Sequence, residues 1–456
     1  MRALLIQYYE RIKASYWFLP SVLALLSAIL AFTLVEIDTL VEPDWLGSGP
    51  FLYATQPEGA RTLLGAIGGS MIGVAGTVFS VTMAAVVFAS GSYGPRLLTN
   101  FMNDRGNQVT LAVFVATFVY CMIVLRTVRD GSENGDFAAM FVPNIAIFGA
   151  LVLAILSIGV LIYFIHHVPS KIHISNVIAD IGHTLLKRIG KEYPEKPAHD
   201  DEALNDLRWQ LPPALRKTPD LGEGGSDTPG YRRILSDRVG YVQIVDAESL
   251  IEATSTEDVV VRLTCRPGNF IHVGQVIALA WPAERVNDET CDKLRSTIAV
   301  GNTRSPGQDL NFLFDELVEI AGRALSPGVN DPYTAITCLD WLKAAMAKIA
   351  GRSERSPYII DDNGKLRAVS LLDDFPAYLE IGFGHLRQYA ASDMIAGQHF
   401  LNCLTEIVPM CRDRQQCEAI REQAEKFLDL AREELSGASL ATLEAAGAKT
   451  IRAASR

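Results

Sequence analysis

Glycines and hydroxyl-bearing residues recur along one uncharged stretch of this chain, and that pattern is the one best suited to chemistry. Gly65, Gly69, Gly73 and Thr77 step by four, and Gly76, Ser80 and Ala84 repeat the step on a neighbouring face. With Ser70 and Thr82 they place hydroxyl oxygens beside bare backbone, the material of narrow ion pathways. The same spacing also serves plain packing. Glycine lets a second helix come close to the backbone, and a hydroxyl can bond back to the carbonyl four residues earlier. Both uses stay open on sequence grounds. Arg61 and Arg96 bracket the stretch and are expected at the two mouths of such a path, where their charge would bias ion selection.

Three other groups carry reactive residue types. Ser326, Asn330, Asp331, Tyr333 and Thr334 form a polar turn segment, a candidate subunit contact. Its grammar is also that of a helix stop and start: Pro327-Gly328 turns the chain, Asp331 is placed to cap, and Pro332 suits a first helical position. His399 and Cys403 share a helical face, with Cys411 and Cys417 downstream, but the spacing matches no common zinc set. His166-His167 close an apolar run and are expected at a membrane interface rather than as a pH sensor. The glycine cluster Glu223-Gly-Gly-Ser-Asp has no following Lys-Ser/Thr, so it is not a phosphate loop. No nucleophile elbow, metalloprotease helix or paired-carboxylate motif is present. No enzyme activity, catalytic residue, metal or cofactor is therefore expected.

The elements that must hold these residues are apolar helices. Four stretches, about 17–35, 62–93, 106–125 and 140–165, approach or exceed the roughly 20 residues that cross about 30 Å of hydrocarbon. Only an internally hydrogen-bonded helix satisfies its backbone there. The second is too long for a simple crossing, at about 50 Å, and must tilt, project or break near its glycines. The span cores hold no ionisable residue, which disfavours a coupled carrier, since such transporters place one inside the membrane. Lys and Arg cluster at the N-terminal flank (Arg2, Arg11, Lys13), in the second loop (Arg96, Arg105) and after the fourth span (Lys171, Lys187, Arg188). By the positive-inside bias both termini lie in the cytoplasm.

At 456 residues the chain has room for two or three folding units. Its net charge of −11 argues against nucleic acid as a partner. Seven cysteines in no paired framework read as reduced thiols. The expected organisation is a transmembrane domain over 1–168, a membrane-exit helix over 169–191 and a Pro/Gly-rich linker over 192–232. A small β domain follows over 233–285, then a helical domain over 286–436 and a flexible tail over 437–456. Strands are expected at 241–245, 259–264, 270–271 and 276–280. The run Arg266-Pro-Gly-Asn-Phe-Ile-His-Val-Gly-Gln-Val-Ile resembles the turn-rich hairpin of biotinyl/lipoyl-like barrel-sandwich folds, without a lysine at its tip. The fold class is thus a mostly α membrane protein with four transmembrane helices and a cytoplasmic α+β region, a small β-barrel joined to a helical bundle.

Three segments carry a wider resemblance: Ser92-Tyr-Gly-Pro-Arg-Leu-Leu, Asp104-Arg-Gly-Asn-Gln, and the run from Arg323 through Ser326-Pro-Gly-Val-Asn-Asp-Pro-Tyr-Thr-Ala to Asp340. On these the chain resembles a bacterial family of predicted integral membrane proteins catalogued as a domain of unknown function. The resemblance covers nearly the full length. It implies four spans and a cytoplasmic domain in a bacterial inner membrane, and it assigns no activity. The reading that follows is a homo-oligomeric ion channel in the lipid bilayer, with the second span lining the pore for inorganic ions. The alternative is a non-conducting membrane sensor or scaffold whose cytoplasmic domain binds a ligand or partner.

Overall fold

The computed structural model describes residues 15, 17–40, 56–94, 104–130, 141–196, 201–216 and 230–456. They form two compact units that divide between Asn176 and Val177.

The first unit is helical because its sequence offers almost nothing but apolar side chains with no turn residues between them. α1 (Phe18–Leu40), α2 (Pro57–Tyr93), α3 (Arg105–Thr127) and α4 (Asn144–Ile172) are each long and apolar enough to cross a membrane. Pro57 opens α2 at the position where a missing N–H costs nothing. Despite its glycines, α2 is one unbroken helix of 37 residues, about 55 Å long. α3 is the element against which the other three pack. Tyr120, Cys121 and Val124 on α3 meet Ala31, Leu64, Ala146 and Ala150 in one core cluster, and Phe114 meets Ala75, Val78 and Phe164 in another. Asp38 lies in the last turn of α1. Its carboxylate accepts from the backbone N–H groups of Ile145 and Ala146, both at 2.9 Å, and so caps α4.

In the second unit α5 (Ile174–Glu192) is amphipathic, burying Val177, Ile178, Ile181, Leu185 and Ile189. Gly182 admits the Trp341 ring, which a Cβ there would strike. The expected linker differs from what forms. Within 192–232, α6 (Asp201–Gln210) and α7 (Pro213–Arg216) are helical, because Leu207, Leu211 and Leu215 recur at helical spacing and bury against a sheet.

That sheet orders its strands β1 (Arg232–Leu235), β5 (Val276–Trp281), β3 (Val260–Leu263), β8 (Leu366–Val369), β7 (Tyr358–Ile360). A second sheet places β2 (Gly240–Val245) between β4 (Phe270–Ile271) and β6 (Ile298–Gly301). Neither sheet is a closed barrel among the described residues. The period-two pattern explains why the large sheet is buried on both faces. Val260 and Leu279 face α6 and α7, whereas Val261, Ala278 and Ala280 face a core with Val242, Leu250 and Ile298. α8 (Ala247–Thr256) and α9 (Asp288–Ser296) flank that core. Three strands, β6 to β8, come from the region expected to be wholly helical. β8 joins β3 in parallel, Val261 opposite Ala368, a pairing too distant in sequence to be read from local pattern.

The helical part comprises α10 (Leu310–Ala324), α11 (Pro332–Ala350), α12 (Phe375–Gly382), α13 (Arg387–Ala390), α14 (Met394–Ile407), α15 (Arg414–Glu434) and α16 (Gly437–Ala454). Phe400 stacks on Phe427 and meets Phe383 edge to face. Asp309, Asp331, Asp374, Asp393 and Asp413 each accept the N–H three residues on, capping a helix apiece. Some of the chain's acidity is thus structural. The stretch expected as a flexible tail is the helix α16. Leu443, Gly447, Thr450 and Ala454 share one buried face, and Gly447 seats the Leu428 side chain.

Candidate functional site

On α2 the sequence pattern separates into two faces. Ala60, Leu64, Gly68, Ala75, Val78, Thr82 and Val86 are buried, with Gly68 against Cys121 and Phe118. Gly65, Gly69, Gly73 and Gly76 are exposed, and a Cβ built on any of them would meet nothing within 4 Å. Ser70, Thr77 and Ser80 lie exposed with them, but Thr82 does not; it belongs to the packed face. Each hydroxyl donates to its own helix: Ser70 to Ala66 O at 2.6 Å, Thr77 to Gly73 O at 3.1 Å, Ser80 to Gly76 O at 2.9 Å and Thr82 to Val78 O at 2.8 Å. The donors are spent and the oxygen lone pairs remain. Arg61 is tied down rather than projecting, with Asp130 at 3.3 Å and Val128 O at 3.1 Å. Arg96 lies outside the described residues.

The remaining helices of this unit use their polar groups on one another. Ser27 donates to Ala116 O, Thr117 meets Ser157 at 3.0 Å, and Tyr120 donates to Ala146 O at 2.8 Å. The Asp104-Arg-Gly-Asn-Gln motif also resolves into structure. Asp104 caps α3 through Asn107 N and meets His167 Nε2 at 2.8 Å, while Gly106 leaves the room that ring needs, since a Cβ would fall 2.5 Å from it. His167 is a half-buried partner of that cap, and His166 is exposed.

In the second unit the turn segment is accounted for by capping. Asp331 accepts from Thr334 N and Oγ1, Ser326 donates to Arg323 O, and Asn330 takes the left-handed conformation at φ 49°. Tyr333 and Val329 stay exposed. Among the described residues, Asp340, His399 and Cys403 are close enough to share a metal ion. His399 Nε2 already lies 2.9 Å from Asp340, whose other partner is the Lys343 ammonium at 3.2 Å. Burial pushes the Cys403 thiol up to about 12, so no thiolate is offered. A neighbouring cation and a protonated thiol suit a structural cluster better than a metal. All seven cysteines are unpaired.

Sequence reasoning missed a cavity of about 430 Å³ beside the large sheet. Arg208 and Arg216 reach it from α6 and α7, Arg262 from β3, and Arg352 and Arg355 from the segment after α11. Four of the five guanidiniums are held by the fold. Arg262 donates to Leu215 O at 2.6 Å, and Arg216 donates to Leu211 O at 3.0 Å while lying over the Trp209 ring. Arg352 donates to Tyr193 O at 2.6 Å and pairs with Glu195, and Arg355 pairs with Glu192 at 2.6 Å over the face of Tyr193. Nε of Arg355 and the buried Tyr193 hydroxyl find no partner in hydrogen-bonding geometry among the described residues. Burial pushes the Tyr193 phenol up, so it stays neutral. The lining acids are largely committed: Asp373 to Arg266 and Asn311, Asp374 to its cap, with Glu354 exposed. No linear motif announces the site, because its arginines come from four separate elements, two of them in the stretch that reads as a linker.

A family described as "Predicted membrane protein (DUF2254)" matches residues 13–406, and the chain belongs to it. Similar curated proteins are an uncharacterized protein of Mycobacterium bovis and two of Mycobacterium tuberculosis. Each is 28% identical over 439 residues, covering 94% of this chain and 78% of the relative. No solved structure matches.

Proposed function

Starting from membership of that membrane family, we propose that the protein is a homo-oligomeric ion channel in which α2 lines the axis between subunits. The observation that carries this reading is the open face of α2. A single protomer leaves Gly65, Gly69, Gly73 and Gly76 uncovered, although glycine in a helix costs about 1 kcal/mol against alanine. A close approach by another copy would offset that cost. Ser70, Thr77 and Ser80 have given their protons to the backbone, so they present acceptors outward, which suits cations over anions. The uncharged span cores support a passive path over a coupled carrier. The distribution of Lys and Arg supports a bacterial inner membrane location with both termini in the cytoplasm. The protein is read as acting without catalysis.

Purified protein in planar bilayers tests this. Cation-selective currents that Gly73→Leu or Ser80→Leu abolishes are the expected result. Silent bilayers that hold a cross-linked oligomer of verified stoichiometry would sink the channel. The arginine-lined cavity favours the second reading, a non-conducting sensor or scaffold, and silent bilayers with retained ligand binding would select it.

A further inference from the structure

The cavity in the second unit has a composition that the channel does not require. Five arginines line it and no lysine does. Lysine supplies a point charge, whereas the planar guanidinium fork matches phosphate oxygens two at a time. Arg208 and Arg216 have no carboxylate partner among the described residues, and Arg352 and Arg355 have one each, at Glu195 and Glu192. Arg355 Nε and the Tyr193 hydroxyl, both buried at the inner wall beside Tyr378, have no partner in good hydrogen-bonding geometry among the described residues. Burying such groups unmatched costs free energy that a ligand acceptor would recover. Leu211, Ile349, Pro357 and Phe375 supply an apolar wall, and about 430 Å³ lies within the range of small-molecule sites. It is also far more than a bare oxyanion needs.

We infer that this cavity binds a small phosphorylated molecule: a phosphate group held by the arginine cluster, with an apolar or aromatic body against Leu211, Ile349 and Phe375. The site stands whether or not α2 conducts. A ligand that fills it ties together α6, α7, β3 and the segment after α11, so binding rigidifies a part of the unit assembled from distant sequence.

Titration calorimetry on the full-length protein in detergent tests the inference with four probes. Inorganic phosphate carries the charge alone, adenosine the body alone, adenosine monophosphate both, and dihexanoyl phosphatidic acid the same group as a lipid headgroup. The expected order is adenosine monophosphate tighter than phosphate, with adenosine silent and binding weakened by salt. If dihexanoyl phosphatidic acid displaces adenosine monophosphate and binds more tightly, the phosphate comes from a lipid; if it does not compete, it comes from a free metabolite. Either result keeps the phosphate site. Arg208→Gln, an exposed change that leaves the fold's hydrogen bonds intact, should weaken phosphate binding about tenfold, the loss of one charge-assisted bond. Arg355→Gln should weaken it more, and Arg355→Lys should restore part of it. Adenosine binding as well as its monophosphate overturns the inference. So does silence from every phosphate-bearing probe at about 10 mM, the weak end of measurable affinity, or an affinity unchanged in the Arg208→Gln, Arg355→Gln double variant.

Discussion

α2 and α3 are both long, apolar and rich in small residues, yet they settle differently. Half of the apolar window of α3 is buried inside its unit, against 22% for α2. Gly106 and Gly149 are tight fits, the first against His167 and the second against Tyr120 of α3. Gly65, Gly69, Gly73 and Gly76 of α2 touch nothing. The polar groups divide the same way: Thr117 and Tyr120 reach across to α4, while Ser70, Thr77 and Ser80 bond only to their own backbone. The lesson is that small residues have a structural explanation only on the packed side. On the open side the fold of one protomer leaves them unexplained, and the proposed assembly would account for them.

The comparison breaks most visibly at its glycines. Gly149→Leu drives a side chain into the Tyr120 hydroxyl and Leu34, and should cost about 3 kcal/mol of protomer stability, read as unfolding in mixed micelles. Gly69→Leu, its counterpart on the open face, should cost nothing and gain up to about 1 kcal/mol of helix propensity by the same measurement while lowering the cross-linked oligomer fraction. Equal losses at the two sites would erase the distinction between the faces. Asp38→Ala should cost about 1 kcal/mol, because two N–H groups at the start of α4 lose their acceptor. Amide exchange at Ile145 and Ala146 checks it directly. Smallest is Ser80→Ala, within about 0.5 kcal/mol for the protomer, since its hydroxyl holds only its own helix. Any change in single-channel conductance from that substitution sharpens the assignment of the face to an axis.

Much of the architecture is written locally. Asp331-Pro332 marks a helix start, the helix Arg414–Glu434 falls in the stretch expected to be helical, and Val276 begins a strand as its pattern implies. The misreadings share a cause. Leu207, Leu211 and Leu215 sit among Pro, Gly and acidic residues, so composition hid a helical stripe that only the sheet beneath it stabilises. Residues 437–456 are rich in alanine and hold only three large apolar side chains, Leu440, Leu443 and Ile451, yet Gly447 and Thr450 pack closely on α14 and α15. No closed barrel forms among the described residues; the strands lie in two sheets, one of which takes in Leu366–Val369 beside β3 from far along the chain.

Of the candidate site, the sequence alone determined the small-residue ladder and the absence of charge in the span cores. Helical spacing and apolar length are properties of neighbours in the chain. It also determined the caps at Asp309, Asp331, Asp374, Asp393 and Asp413, whose bonds reach only three residues, but not that of Asp38, which caps α4 from α1. Tertiary structure decided which side of α2 the rest of its unit covers, that Thr82 falls on that side and Ser80 does not, and that Arg61 is held by Asp130. It alone gathered Arg208, Arg262 and Arg355 around one cavity. The physical reason is range: a cap or a helical face is set by residues within a turn or two, whereas burial and charge convergence are set by whichever surfaces the whole chain brings together.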